Sequence, residues 1–229
     1  MTASQRAWGA VDDWFAAICR HPFVTGLADG SLPPDVFARY LVDDAHYLDR
    51  YARVLSRLAA RAPDPAGVGL LAGSAVGAIA AERELHRGFL GPRGLDPDDP
   101  AASARIPEPS PTCAAYTGFL ESAASMAPFD VALAAVLPCF RVYAEVGRRI
   151  GSTTGEDHPY AAWIATYADP DFDAAVRRAE ACLDRVTRDE PAVVDAYVAA
   201  TRFEWMFWDA AWRGEAWPGP AGSVSDASR

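Results

Sequence analysis

The sequence predicts an all-α chain, folded as a single-domain helical bundle. Alanine, leucine and arginine are abundant, apolar residues recur at the three-four spacing of a helix face, and no run of alternating valine and isoleucine offers a strand. With 229 residues, 51% of them hydrophobic, there is enough material for one sizeable core without division into domains.

A first helix is expected over about residues 5–20, with Trp8, Val11, Phe15 and Ile18 on one face and His21-Pro22-Phe23 ending it. The turn Asp29-Gly30-Ser31-Leu32-Pro33-Pro34 opens a second helix, with proline near its first position, that runs to about Ala60. Its inner face carries Phe37, Tyr40, Leu41, Asp44, Tyr47, Leu48 and Tyr51. Asp44 is thereby sent toward the core between tyrosines. A buried carboxylate is costly unless paired or hydrogen-bonded, so Asp44 is a functional candidate. Asp43, one residue round, is expected to face solvent or a neighbouring subunit.

The third helix, about 66–89, is rich in small residues (Gly67, Gly69, Gly73, Gly77), which permits close helix approach; with no preceding strand they do not make a phosphate loop. Glu82 and His86 have the i, i+4 spacing of two metal ligands, but a hydrogen-bonded pair on the helix surface is the simpler reading. Residues 91–110, with five prolines, form the one substantial internal loop. A fourth helix from about Thr112 bears Tyr116, Phe119 and Leu120.

The helix after Pro128 contains the stretch from Leu133 to Gly147. Pro138 removes one backbone bond and is expected to kink the helix where Cys139 begins the next turn, and Gly147 to loosen it near its end. Cys139 and Tyr143 share a face, placing a thiol beside a phenol. Taken alone, this pair reads first as an ordinary core contact, because cysteine is often a small buried hydrophobe, and only second as a nucleophile with its orienting partner. A short helix follows over His158–Tyr167, another from Pro170 to about Thr187, and a last one from Pro191 to about Trp212. In the last, Phe203-Glu204-Trp205-Met206-Phe207-Trp208 sets a second acid among aromatic rings. The domain is expected to end at 213, with 214–229 a disordered tail.

Lysine is absent, so all 21 cations are arginine; against 31 acids this leaves a net charge of −10. That balance argues against nucleic acid or an anionic membrane as partner, and no lysine is available for a Schiff base. The four cysteines, Cys19, Cys113, Cys139 and Cys182, have no CxxC spacing, which argues against zinc. With no signal core and no apolar run of about 20 residues, a cytoplasmic protein with free thiols is expected.

In order and spacing, a series of motifs resembles the TenA, or thiaminase II, family over about residues 7–213. The series is His21-Pro22-Phe23 with Asp29-Gly30-Ser31-Leu32-Pro33, then Tyr40-Leu41-Val42-Asp43-Asp44-Ala45-His46-Tyr47-Leu48 and Glu84-Leu85-His86. It continues through Ser110-Pro111-Thr112 with Tyr116-Thr117, Leu137-Pro138-Cys139, Tyr143-Ala144-Glu145-Val146-Gly147, Trp163-Ile164-Ala165-Thr166-Tyr167 and Glu204-Trp205-Met206-Phe207-Trp208. The resemblance implies a haem-oxygenase-like fold, a homotetramer and a role in thiamine salvage. It implies hydrolysis of 4-amino-5-aminomethyl-2-methylpyrimidine to the 5-hydroxymethyl compound with release of ammonia, and in many members cleavage of thiamine, without a cofactor or metal. It puts the catalytic cysteine on Cys139, the essential acids on Asp44 and Glu204, pocket phenols on Tyr47, Tyr116, Tyr143 and Tyr167, and an aromatic wall on Phe207. Two positions depart from the family pattern: Asp43 stands where glutamine is common, and His46 where an aromatic is frequent.

The chemistry accounts for these residue types. Water is a weak nucleophile, so a Cys139 thiolate adding to the pyrimidine ring could supply the electron density that expels the amine. Such a thiolate needs a lowered pKa, for which Tyr143 and the helix geometry are the expected sources. Desolvation by Trp205, Phe207 and Trp208 is expected to raise the pKa of Glu204 into the range of a general acid. Asp44 would anchor the aminopyrimidine. Two rival functions share the fold: a metal- or haem-dependent oxidase, for which four histidines with none after His158 are a poor ligand supply, and a non-catalytic pyrimidine- or thiamine-binding protein, for which Cys139 would be superfluous.

Overall fold

Most helices begin where a side chain takes up an orphan backbone N–H, and proline often fills the first position. In the computed structural model, which describes residues 1–95, 99, 106–151, 155 and 157–219 (the side chains of 81–85 excepted), ten α-helices follow one another with no strand among the described residues. They are α1 (Ala3–Gly9), α2 (Asp12–Cys19), α3 (Pro22–Asp29), α4 (Pro34–Arg61), α5 (Pro65–Leu90), α6 (Pro111–Met126), α7 (Phe129–Gly151), α8 (Ala161–Tyr167), α9 (Pro170–Val186) and α10 (Glu190–Arg213). Asp64 caps α5 by accepting from Gly67 N (2.6 Å), Ser110 caps α6 at Cys113 N (3.1 Å), and Asp169 caps α9 at Asp171 N (2.7 Å).

The N-terminal region differs from expectation in two ways. The first helix is two: the Val11 N–H turns back to the Trp8 carbonyl (3.1 Å), and the backbone leaves helical geometry so that Val11 can be fully buried. His21-Pro22-Phe23, expected to end a helix, also starts α3: His21 Nδ1 accepts from Phe23 N (3.1 Å), an N-cap with proline in the first position. Gly30 closes α3 with φ +79°, the left-handed conformation in which a side chain would be strained.

The three residues between α4 and α5 fold the two long helices back along each other. The central element is α7, which meets α4, α6, α8, α9 and α10. Its run from Ala132 to Pro138 is buried without interruption, as an element packed on all sides must be. Helical geometry persists through Pro138 to Gly151. One turn before Cys139, the Val136 carbonyl accepts a hydrogen bond from Tyr51 Oη (2.8 Å), which ties α4 to α7 beside the proline. Residues 214–219, within the segment expected to be a loose tail, run back along the start of α6. There Glu215 accepts from Thr112 N (2.9 Å) and Trp217 Nε1 donates to the Pro109 carbonyl (2.9 Å). Residues 220–229 lie outside the described residues.

Gly147 does not loosen α7. It is buried against α8, and a Cβ built there would stand 2.6 Å from the Tyr167 carbonyl carbon and 2.7 Å from its Cβ. Only a glycine lets α8 come this close. Gly147→Ala should therefore push α8 outward and destabilise the protein by about 1–3 kcal/mol, as overpacking does. Denaturant titration measures this; a midpoint equal to wild type would mean that α8 is not held at this distance.

Candidate active site

The buried ionisable groups come from well-separated parts of the chain. Glu204, on the inner face of α10, is 2% exposed, and its Oε1 accepts a hydrogen bond from Tyr116 Oη of α6 (2.6 Å). Asp44, on α4, is 3% exposed and stands 3.1 Å from His86 Nε2 of α5, itself buried. Cys139 is half-buried on α7. It lies within electrostatic reach of both Glu204 and Asp44, so the three residues form one cluster.

Around them the rings pack in contact. Tyr47 stacks on Tyr51 (centroids 5.2 Å apart, planes at 19°), tilts against Tyr116 (5.1 Å) and meets Phe207 edge-on (5.6 Å). Tyr143 packs on Tyr167 (4.9 Å), and its hydroxyl accepts from Tyr40 Oη (3.4 Å), which in turn accepts from Trp163 Nε1 (3.2 Å). Every residue expected at the site contributes to this cluster, but in two layers. Cys139 and Tyr167 line a cavity of about 630 Å³, together with Leu48, Tyr51, Phe140 and Phe172. Across it stand Gly69, Gly73 and Gly77 of α5, at each of which an added Cβ would meet nothing within 4 Å. Asp44, Glu204, Tyr47, Tyr116, Tyr143 and Phe207 are not among the cavity walls and form the layer behind the sulfur.

Burial governs the electrostatics. Desolvation pushes Glu204 up to about 8; the charge of Asp44 adds to this, and the hydrogen bond from Tyr116 opposes it. Cys139 is raised well above an ordinary thiol, first by burial and then by Glu204, with Tyr47 and Tyr51 partly offsetting. This corrects the sequence-based expectation of a lowered thiol pKa. The phenols that favour the thiolate are Tyr47 and Tyr51 of α4, and Tyr143 is turned toward Tyr40 and Tyr167. Burial also raises Tyr47, Tyr51, Tyr116, Tyr143 and Tyr167 well above the usual phenol, so all remain hydrogen-bond donors at neutral pH.

Two further expectations are corrected. Asp43 does not face solvent: it is 7% exposed, and its Oδ1 accepts from Ser110 N (2.8 Å), so it holds the start of α6 and with it the helix that carries Tyr116. His86 is not on a helix surface. Its partner is Asp44 on the neighbouring helix, because α5 packs its His86 face against α4; the side chain of Glu82 lies outside the described residues. Among the described residues no group of three or more His, Cys, Asp or Glu is gathered to hold a metal ion. Sequence reasoning missed Tyr51 and His86 as site residues. Tyr51 carried a signal, since it follows Tyr47 by four residues on the same helix face. His86 carried none that pointed to Asp44, because that contact is tertiary.

Comparison with known proteins agrees with this architecture. Residues 8–214 match the profile of the TENA/THI-4/PQQC family. The aminopyrimidine aminohydrolase of Bacillus subtilis (strain 168) is 33% identical over 223 residues, covering 95% of this chain and 92% of that protein. The thiamine biosynthesis multifunctional protein ThiED of Corynebacterium efficiens is 37% identical over 90% of this chain, which spans 28% of its length. The TenA homologue protein from P. horikoshii OT3 superposes with a TM-score of 0.83 at 26% identity, covering 93% of this chain and all of that one. A protein from Shewanella denitrificans with a haem-oxygenase-like fold, 14% identical with a TM-score of 0.70, shares the fold. No helix among the described residues is long and apolar enough to cross a membrane. Matched by the family profile along nearly its whole length and by a relative of similar size, the chain belongs to the TENA/THI-4/PQQC family.

Proposed function

We propose that this chain is a hydrolase acting on a C–N bond, converting 4-amino-5-aminomethyl-2-methylpyrimidine to the 5-hydroxymethyl pyrimidine with release of ammonia, a step of thiamine salvage. The observation that carries the reading is the coupling of the Cys139 thiol, at the wall of a ring-sized cavity, to the buried Glu204 carboxyl behind it. The aminohydrolase name of the Bacillus subtilis relative supports the substrate class.

The charge of Glu204 raises the pKa of Cys139, and the groups that act most on the sulfur are carboxylates and phenols. In this reading the reactive form has Glu204 ionised and Cys139 still a thiol, and its share grows as pH rises toward 8. The Glu204 carboxylate takes the thiol proton as the sulfur adds to C6 of the pyrimidine. Glu204 then gives that proton to the exocyclic nitrogen as the C–N bond breaks, leaving ammonia and an exocyclic methylene. Water adds to the methylene after losing a proton to Glu204. The C–S bond then breaks, the ring regains its aromaticity, and the proton returns to sulfur. The net change is one water consumed and one ammonia released. Asp44 and Glu204 stand behind the cavity wall, so in this reading the side chains between them and the cavity shift as the ring enters; Asp44, oriented by His86, then accepts from the 4-amino group, and the Tyr116 hydrogen bond fixes the Glu204 carboxyl. The tyrosine and phenylalanine faces hold the flat ring. A cavity of about 630 Å³ exceeds what a single substituted pyrimidine needs and also has room for the two rings of thiamine.

Cys139→Ala should abolish ammonia release while pyrimidine binding, followed by calorimetry, persists; hydrolysis at a wild-type rate would remove the sulfur from the mechanism. Glu204→Gln should lower kcat by about 10²–10⁴-fold, the usual contribution of a general acid–base. A loss below tenfold would reassign the proton transfers. The same substitution has a stability signature. Because the folded protein holds the Glu204 proton up to about pH 8, whereas an unfolded glutamate releases it near 4.5, wild-type stability should fall as pH rises between those values. Glu204→Gln cannot ionise, so its stability relative to wild type should increase across that window; parallel denaturation curves at pH 5 and pH 8 would contradict the burial of this charge.

A further inference from the structure

We propose that Arg178 is a specificity determinant at the outer end of the Cys139 cavity, selecting substrates whose leaving group carries an anionic substituent. The inference rests on the aminohydrolase reading of the inner site and extends it to the part of the cavity that an aminomethylpyrimidine leaves unfilled.

The cavity wall is apolar or neutral almost throughout, and Arg178 is the one charged side chain among the described residues that line it. It is also unpaired, which sets it apart from its neighbours. On the same helix, Arg177 pairs with Asp173, and Arg185 stands 3.7 Å from Asp64. Arg178 has no ion pair or hydrogen bond to any described residue. Its neighbours one turn away on either side, Ala174, Ala175, Ala181 and Cys182, carry no charged side chain to pair with it. In a chain with 31 acids and 21 arginines, an unpaired arginine at the edge of a cavity is a guanidinium left open for a ligand.

Its position is set by the helix. Phe172, Ala175 and Arg178 of α9 all face the cavity, at i, i+3 and i+6. Phe172 marks the inner end, in ring contact with Tyr167 (5.4 Å) and with Phe140 (6.5 Å), the residue next to Cys139. Six residues of helix place Arg178 about 9 Å further along the axis. A leaving group that extends from the reacting carbon at Cys139 along the cavity past Phe172 ends beside Arg178. A forked guanidinium there suits a phosphate ester on the thiazole side of thiamine, or a carboxylate on an acylated amine; the shared chemistry is a terminal anion. The uncharged remainder of the wall offers such a group no other counter-ion.

Two substrate pairs test this, each read by the release of the hydroxymethylpyrimidine: thiamine monophosphate against thiamine, and the aminomethylpyrimidine acylated with succinate against the same amine acylated with acetate. Wild type should favour the anionic member of at least one pair, and which pair it is distinguishes phosphate ester from carboxylate. In Arg178→Gln that preference should fall by roughly threefold to fivefold, about what one solvent-exposed ion pair supports. In wild type it should likewise shrink at ~1 M salt, where screening acts within about 3 Å. Equal kcat/KM for charged and neutral members in both pairs, or a preference that survives in Arg178→Gln, overturns the proposal. Failure of wild type to release ammonia from the plain aminomethylpyrimidine would instead sink the hydrolase reading beneath it. Arg178 is exposed, so its replacement is not expected to disturb folding.

Discussion

Desolvation is the constraint on which the rest of the site depends. A carboxyl and a thiol are set into a wall of tyrosine, tryptophan and phenylalanine rings, where two neighbouring negative charges would be prohibitively costly. The Tyr116 hydrogen bond and the Tyr47 and Tyr51 phenols offset part of that cost, while the charge of Asp44 adds to it. Near neutral pH the resting forms are therefore the Cys139 thiol and the protonated Glu204 carboxyl.

The scaffold serves this arrangement through a few close contacts rather than through any one helix. α7 carries the sulfur and meets five other helices, so displacement of any of them is felt at Cys139. Asp43 fastens the start of α6, which holds Tyr116 at the length of its bond to Glu204. Gly147 lets α8 settle low enough for Tyr167 to reach the cavity. His86 braces Asp44 across the α4–α5 seam. These supports lie outside the cavity, yet each fixes a group that lines it or stands directly behind it.

Much of this was legible in the sequence. The helix-period pattern placed the long helices to within a residue or two, and the aromatic row around Asp44 pointed correctly inward. What escaped was local capping and tertiary partnership. The start of α3 was hidden because a histidine is an uncommon N-cap, and the motif reads as a stop until its ring is seen to accept from Phe23. Asp43 was assigned outward because a helical wheel assumes one buried face, whereas α4 is covered on two sides, by α5 and by α6. The pKa of Cys139 was misjudged because sequence spacing identifies neighbours on one helix, and the groups that set it come from α4 and α10.

The segment beyond α10 shows that the last helical turn is not the last structural residue. Glu215 supplies a carboxylate to a backbone donor in the first turn of α6, and Trp217 reaches the carbonyl just before that helix. Cutting the polypeptide at Arg213 would strip these two partners from the helix bearing Tyr116. A fusion junction or affinity tag is accordingly better joined after Trp217 than at the helix end.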